Sequence, residues 1–274
     1  MGVKKPRSVL QVDELDLETR TSIWNYVFQL KEILEREDYK KDSDHARRVG
    51  RRLWSAHFSL PLDEYSSATA WAYIRNRVMQ GEVTDALWLI EDFVDDFREV
   101  KDKKTAIVLA GVFNNIFERN LVGFRFLDLL IVPVTSSDEV KSVEEALAST
   151  TEMPGAQKHL QNAIALLSSK TNPQYAKSLS ESISAVEAIV RHVSGANTLG
   201  AGLIELKTKG YPIHPALLDG WKKIYGYTSD GDGIRHGSVD PSDVDEAMAT
   251  YFLVTCSAFV GLLRKAEMKI DAAS

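Results

Sequence analysis

The chain has 274 residues and carries 33 Lys and Arg against 39 Asp and Glu, a formal net charge of −6. Hydrophobic residues make up 44% and charged residues 26%, proportions that exclude global disorder and are typical of a globular protein. The acidic balance also excludes a general nucleic-acid coating protein, so any nucleic-acid contact is expected at a local patch or cleft.

The single cysteine and the termini bear on cellular location. Cys256 stands alone, which excludes an internal disulfide and a cysteine-based zinc site, and its apolar neighbours predict a buried side chain. The basic N-terminus has no apolar block behind it, so we expect no secretory signal. We identify no apolar run near the ~18 residues needed to span a bilayer and therefore expect a cytoplasmic protein without membrane contact.

Helical periodicity dominates the first 122 residues. Apolar residues recur there at three- and four-residue spacing, which is typical of amphipathic helices. Four tryptophans accompany them, and we interpret these as an aromatic core rather than a ligand site. The predicted helices cover 18–36 and 43–58, and three more begin near Asp63 or Ser66, at Thr84 and at Thr105; the tryptophans are Trp24, Trp54, Trp71 and Trp88.

The pattern changes at 122–135, where β-forming residues predict two short strands that turn near Asp128. The fold class we predict is therefore all-α with one small hairpin. A domain boundary near 150 gives units 1–150 and 151–274. The later helices are predicted from Ser136 or Ser137 through Leu147, over 156–169, 174–194 (ended by Gly195), 198–208 and 215–225, and from Asp240 or Ser242 to about Lys269.

The segment Tyr225–Gly237 is predicted to be an irregular connection that carries an adjacent arginine and histidine, Arg235 and His236. Three glycines in it would let the backbone approach a ligand closely. Arginine suits phosphate, and histidine changes its proton near neutral pH, so the pair could bind or cleave a phosphodiester. Alternatively, the arginine pairs with neighbouring aspartates and the histidine bonds a helix end.

Two further polar sets stand on predicted helices. Glu187 belongs to a stripe beside an apolar one, and it could either orient the Arg-His pair or form a surface ion pair with Arg191. A basic face could contact RNA phosphates, or could be a solvated face balanced by Asp42 and Asp44. No histidine has a partner at metal-ligand spacing, so we expect no metal and no cofactor. The basic face consists of Arg47, Arg48, Arg51 and Arg52.

Several segments resemble those of bacterial abortive-infection proteins that join an AbiJ-type N-terminal domain to a C-terminal HEPN (higher eukaryotes and prokaryotes nucleotide-binding) domain. The resemblance covers nearly the whole chain, and its C-terminal motifs are the more specific. The segments include Leu10–Arg20, Gly123-Phe-Arg-Phe126, Ile183-Ser-Ala-Val-Glu187, Tyr225-Gly-Tyr-Thr-Ser-Asp230 and Gly233-Ile-Arg-His236.

The resemblance implies a helical HEPN bundle that dimerises, so that two Arg-His motifs line one cleft. It further implies a metal-independent ribonuclease of phage defence or of a toxin system, with Arg235 and His236 as the catalytic pair and Glu187 as a supporting acid. Regulation by a protein partner would fit that setting. The family motif commonly places several residues between arginine and histidine, whereas here they are adjacent. The alternative function is a catalytically silent HEPN module that binds a nucleotide or a protein.

Overall fold

The computed structural model describes residues 9–41, 44–230 and 244–272. Over these residues it contains eleven α-helices and a single two-stranded antiparallel sheet, so the predicted all-α class with one hairpin is confirmed. The chain forms two compact units, Met1–Ser137 and Asp138–Ser274.

The N-terminal unit begins with five helices, of which the third and the fifth start at a side-chain cap. The Ser66 hydroxyl accepts from the Thr69 amide at 3.1 Å, and the Asp102 carboxylate caps the next-but-one helix in the same way at Thr105. The second helix runs on into a π-helical turn, Leu53–His57. The helices are α1 (Leu17–Lys41), α2 (His45–Arg52), α3 (Ser67–Gln80), α4 (Val83–Val100) and α5 (Lys103–Arg119).

The hairpin pairs β1 (Arg125–Leu127) with β2 (Leu130–Val132) and turns through Asp128 and Leu129, both at positive φ, as the sequence predicted. Helices hold it from both sides. The carboxylate of Glu91 on α4 accepts from the Ile131 amide, and the Asn114 side chain on α5 exchanges two hydrogen bonds with the Phe126 backbone. These bonds satisfy strand groups that a two-stranded sheet leaves unpaired.

Phenylalanines rather than tryptophans fill the centre of this unit. Phe93, Phe113, Phe117 and Phe126 are fully buried side chains. Trp54 and Trp71 are buried too, but Trp24 and Trp88 are only half-buried. Trp24 nevertheless packs against the buried core, so the predicted tryptophan core is wrong only in that two of its four members are not fully enclosed. An indole on a helix flank can bury one edge and leave the other in solvent. The pairs with ring contacts are Phe93–Phe97, Phe113–Phe117, Phe113–Phe126 and Phe117–Phe126.

The C-terminal unit is built around a central helix, α8, whose predicted apolar stripe is buried against α7, α9 and α11. Gly195 ends α8 with φ +76°, as predicted. Gly202 on α9 lets that helix approach α8, since a Cβ there would lie 2.8 Å from Ser194 Oγ. The helices are α6 (Ser137–Ser149), α7 (Pro154–Leu167), α8 (Tyr175–Ser194), α9 (Leu199–Thr208), α10 (Pro215–Asp230) and α11 (Glu246–Asp271).

Helix α6 packs with the helices that follow it. Ala146 is fully buried in the C-terminal core. On α11, Arg264 donates to the Ser149 carbonyl at 2.9 Å, and Lys265 pairs with Glu145 at the same distance. The boundary of the compact units accordingly precedes α6, while the domain division at 150 stays a prediction.

Two sequence expectations about the last helices need correction. Helix α10 runs to Asp230 instead of ending near Tyr225, and the N-cap of α11 is Asp245 rather than Asp240 or Ser242. A β-carbon at Gly226 would meet open space, so this glycine marks no turn or close approach, and aromatic contacts on both sides of it hold the helix together. The predicted irregular connection is therefore wrong for residues 225–230, whereas the three glycines on which it rested lie outside the described residues.

Helix α11 also corrects the view that no segment has membrane-spanning character. Its stretch Glu246–Ile270 is long and apolar enough, by length and composition, to cross a bilayer. Much of that apolar surface packs inside the unit, where Phe252, Cys256 and Leu263 are buried. Helix α11 is therefore a core helix of this unit. A buried core helix can be as long and as apolar as a membrane-spanning helix.

Candidate functional site

Arg235 and His236 lie outside the described residues. The described helices on either side nevertheless define where their segment starts and ends. Helix α10 leads into it at Asp230, and α11 follows it from Glu246.

Two aromatic pairs show that α10 and α11 run antiparallel. Trp221 stacks on Phe259 with ring centroids 4.2 Å apart, and six residues later Tyr227 stacks on Phe252 at 6.1 Å. As the chain advances along α10, its partners move back along α11. The end of α10 and the beginning of α11 therefore lie at the same end of the unit.

Glu187 contacts the last part of α10. The Tyr225 hydroxyl donates to Glu187 Oε1 at 3.0 Å, and Glu187 is half-buried on α8. Thr228, which is fully buried, donates to the Tyr225 carbonyl and continues the helix beyond this contact. The acid singled out from the sequence is thus tied to the helix that carries the chain toward Arg235. The tyrosine was missed because nothing in its local pattern shows which helix it faces.

A second carboxylate stands at the start of α11. The Tyr175 hydroxyl, at the start of α8, lies 3.5 Å from Glu246 Oε2. Burial raises the pKa of Glu246 above its ordinary value, while the Tyr175 hydroxyl opposes that shift. A tyrosine–carboxylate contact therefore links α8 to each of the two helices that flank the Arg-His segment.

An exposed apolar patch, consisting of Tyr227, Met248 and Tyr251, lies at this same end. The two tyrosines are half exposed, and both rings contact Phe252. Met248 precedes Tyr251 by about one helical turn. Exposed aromatic and methionine side chains of this kind are enriched at protein interfaces.

The basic face of α2 is solvent-exposed, as both sequence interpretations require. Arg48 pairs with Asp44 at 2.9 Å, which is the partner that the solvated-face interpretation named, whereas Asp42 lies outside the described residues. Arg52 pairs with Asp96 at 2.8 Å. Arg47 and Arg51 both lower the pKa of Tyr65, although burial raises it more. Two of the four arginines are therefore already paired with acids.

Asp96 is a buried acid that sequence analysis did not single out. Burial raises its pKa to about 7; Arg52 opposes this shift, and Asp92, Asp95 and Glu99 reinforce it. Next to it, His57 Nδ1 lies 2.5 Å from Asp92 Oδ2. The signal that could have found this cluster is the run of acids on α4, read together with its apolar stripe.

The described parts of the chain offer few groups for metal binding or for thiol chemistry. No three His, Cys, Asp or Glu side chains are grouped there to hold a metal ion. Cys256 is fully buried, and burial raises the pKa of its thiol, so it is an inert core residue as predicted.

Comparison with known proteins identifies the N-terminal region. Residues 1–149 match the family described as AbiJ N-terminal domain 4. The chain belongs to this AbiJ family. No curated protein matches the sequence, and no solved structure matches it. The AbiJ domain confirms the N-terminal part of the resemblance and gives the protein an abortive-infection, phage-defence context.

Proposed function

We propose that the protein is an RNA-cleaving effector of phage defence, whose C-terminal unit is a HEPN-type ribonuclease and whose AbiJ unit senses a signal or restrains cleavage. The observation that carries the proposal is the Tyr225–Glu187 hydrogen bond. It fixes the end of α10, from which the chain continues to Arg235 and His236, in a chain that belongs to an abortive-infection family.

The proposed reaction is a transesterification that needs no external nucleophile. His236 accepts the proton of a ribose 2′-hydroxyl, and the 2′-oxygen attacks the neighbouring phosphorus. Arg235 binds the phosphate and stabilises the charge that develops on its oxygens. The bond from phosphorus to the 5′-oxygen breaks, and that oxygen takes up a proton. The products are a 2′,3′-cyclic phosphate and a 5′-hydroxyl.

Glu187 is proposed as a positioning residue in this reaction. Its carboxylate binds Tyr225, ten residues before Arg235, and so limits how far the end of α10 can move. Small displacements of a catalytic group are costly, since a shift of about 1 Å can reduce a rate 100-fold.

The assembly we propose is a homodimer formed through the C-terminal units. The exposed patch Tyr227, Met248 and Tyr251 lies at the end of the unit that carries the Arg-His segment. Pairing of two such patches would bring two Arg-His segments near one cleft. We further propose that the basic face of α2 contacts RNA, that a protein partner regulates the effector and that the protein is cytoplasmic.

Incubation of the purified protein with total RNA in EDTA tests this function, with Arg235→Ala and His236→Ala run beside it. We expect cleavage by the wild type that is lost in both variants, since each supplies a different part of the chemistry. Activity that EDTA abolishes, or equal cleavage by all three proteins, would remove the proposal.

A silent binding module is the second candidate, and two observations favour it. Arg235 and His236 are adjacent instead of separated, and the net charge of −6 does not favour RNA. This function predicts intact RNA in the same assay, together with nucleotide or protein binding that the Arg235→Ala substitution weakens.

A further inference from the structure

A groove between α1 and α3 of the N-terminal unit has no role in the proposed cleavage. It has a volume of about 500 Å³, which is within the range of small-molecule sites. The residues that α1 contributes to the groove are spaced four, three and four positions apart, so they lie on one face of that helix. The groove is lined by Trp24, Phe28, Lys31 and Glu35 of α1 and by Ser67, Ala68, Trp71, Ala72 and Arg75 of α3.

Aromatic rings form one wall of the groove. Trp24 and Phe28 contact each other with centroids 6.0 Å apart, and 41% of Phe28 is exposed. Opposite them α3 contributes the small exposed residues Ala68 and Ala72, which leave space between the two helices. A planar group of one or two rings is the shape that this wall accepts by stacking.

The charged side chains of the groove indicate whether it suits a neutral or an anionic ligand. Lys31 lies 5.7 Å from the ring centroids of both Phe28 and Trp71, but its charge is offset by Glu35 at 2.7 Å. Arg75 is exposed, and within the described chain it makes no hydrogen bond or ion pair. The groove therefore has one uncompensated guanidinium beside its aromatic wall, a combination that suits a phosphate attached to a flat ring.

We infer that this groove binds a nucleotide, with the base stacked on Trp24 and Phe28 and the phosphate at Arg75. The nucleotide is either free or an unpaired residue of a single-stranded RNA. In both cases the groove would contact the same two groups, a base and a phosphate. This site goes beyond the proposed cleavage reaction: it lies in the AbiJ unit, and its occupancy can be measured without any cleavage.

Calorimetric titration of the full chain tests the inference. The probes are the four nucleoside 5′-monophosphates, the matching nucleosides, and an eight-residue 2′-O-methyl oligonucleotide that cannot undergo transesterification. Binding of a monophosphate identifies a free nucleotide as ligand, and binding of the oligonucleotide alone identifies a strand. If neither the monophosphates nor the oligonucleotide bind, the inference is overturned.

Matched variants locate the site. Phe28→Ala should weaken binding about 5- to 150-fold, which corresponds to the free energy of base–aromatic stacking. Ile33→Ala is the control, since Ile33 is 46% exposed on the same helix but does not line the groove. Equal losses in the two variants would contradict the location.

A second pair of variants tests the phosphate contact. Arg75→Gln should remove the preference for a monophosphate over its nucleoside and leave nucleoside affinity unchanged. Arg119→Gln is its control, because Arg119 is an exposed helical arginine on α5 outside the groove. A preference retained in Arg75→Gln would show that the phosphate lies elsewhere.

Discussion

At the residue scale, the contact between Tyr225 and Glu187 connects α8 to the helix that precedes the proposed catalytic pair. The sequence could single out Glu187 because it sits beside an apolar stripe at helical spacing. It could not identify Tyr225, since a residue 38 positions away becomes a neighbour only once three helices are packed. The same limit explains why Arg52 was not matched with Asp96.

The first prediction concerns that hydrogen bond. Tyr225→Phe should lower the free energy of unfolding by about 1 kcal/mol, as expected for loss of one partly exposed hydrogen bond. A double-mutant cycle with Glu187→Ala, which removes the acceptor, should give a non-zero coupling energy in urea denaturation. Tyr227→Phe is the control, because Tyr227 is half exposed and the substitution keeps the ring that packs on Phe252. Additive effects in the cycle would contradict the contact.

The second prediction concerns Asp96. Its pKa is raised from 3.8 to about 7, so the folded protein holds a proton there that the unfolded chain releases. The free energy of unfolding should therefore fall, by an amount on the order of a few kcal/mol, as pH rises from about 4 to about 7.

Asp96→Asn should remove this part of the pH dependence, measured as the difference between variant and wild type in urea unfolding at several pH values. Asp85→Asn serves as control, since Asp85 lies on the same helix and pairs with Arg77, but it is not among the acids that shift the pKa of Asp96. If the two variants have the same pH profile as the wild type, Asp96 does not carry the effect.

At the element scale, most helices were predictable, because three- and four-residue spacing, Pro and capping residues act within a few positions. Gly195 and the hairpin turn are examples. The end of α10 was not predictable, since contacts of Tyr227 with Phe252 of α11 sustain a helix through a glycine. The groove was missed for a related reason: Trp24 and Phe28 have core-like spacing, and only the small residues of α3 leave them accessible.

The third prediction compares two glycines of α9. Gly202→Ala should destabilise the C-terminal unit by about 1–3 kcal/mol, because the added Cβ would collide with Val190 and Ser194 of α8. Gly200→Ala meets open space and should be neutral or stabilise by up to about 1 kcal/mol. Thermal and urea unfolding of both variants measures the difference. A Gly202→Ala protein as stable as the wild type would mean that α8 and α9 are less closely packed.

At the scale of the whole molecule, the chain combines an AbiJ-family region with a helical unit that begins with α6. The family match extends to residue 149 and includes α6, while Ala146, Glu145 and Ser149 bind α6 to the later helices. Sequence similarity and packing thus divide the chain at different places. Helix α6 thus belongs both to the family match and to the packing of the C-terminal unit. Family membership alone therefore does not locate the folding boundary.

The fourth prediction follows from that packing. A protein of residues 138–274 should unfold at a higher urea concentration than one of residues 151–274, because only the former retains the contacts of Arg264 and Lys265 with α6. Circular dichroism during urea titration of the two proteins measures this. Equal midpoints would show that α6 contributes nothing to the stability of the C-terminal unit.

The central claim is that the C-terminal unit cleaves RNA by using the ribose 2′-hydroxyl. The most direct test compares one oligonucleotide that the protein cuts with the same sequence carrying 2′-O-methyl groups, with mass spectrometry of the product ends. We expect 2′,3′-cyclic phosphate ends from the unmodified strand, no product from the methylated strand, and no product from either strand with His236→Ala. Cleavage of the methylated strand, or 3′-hydroxyl ends from the unmodified one, would contradict it.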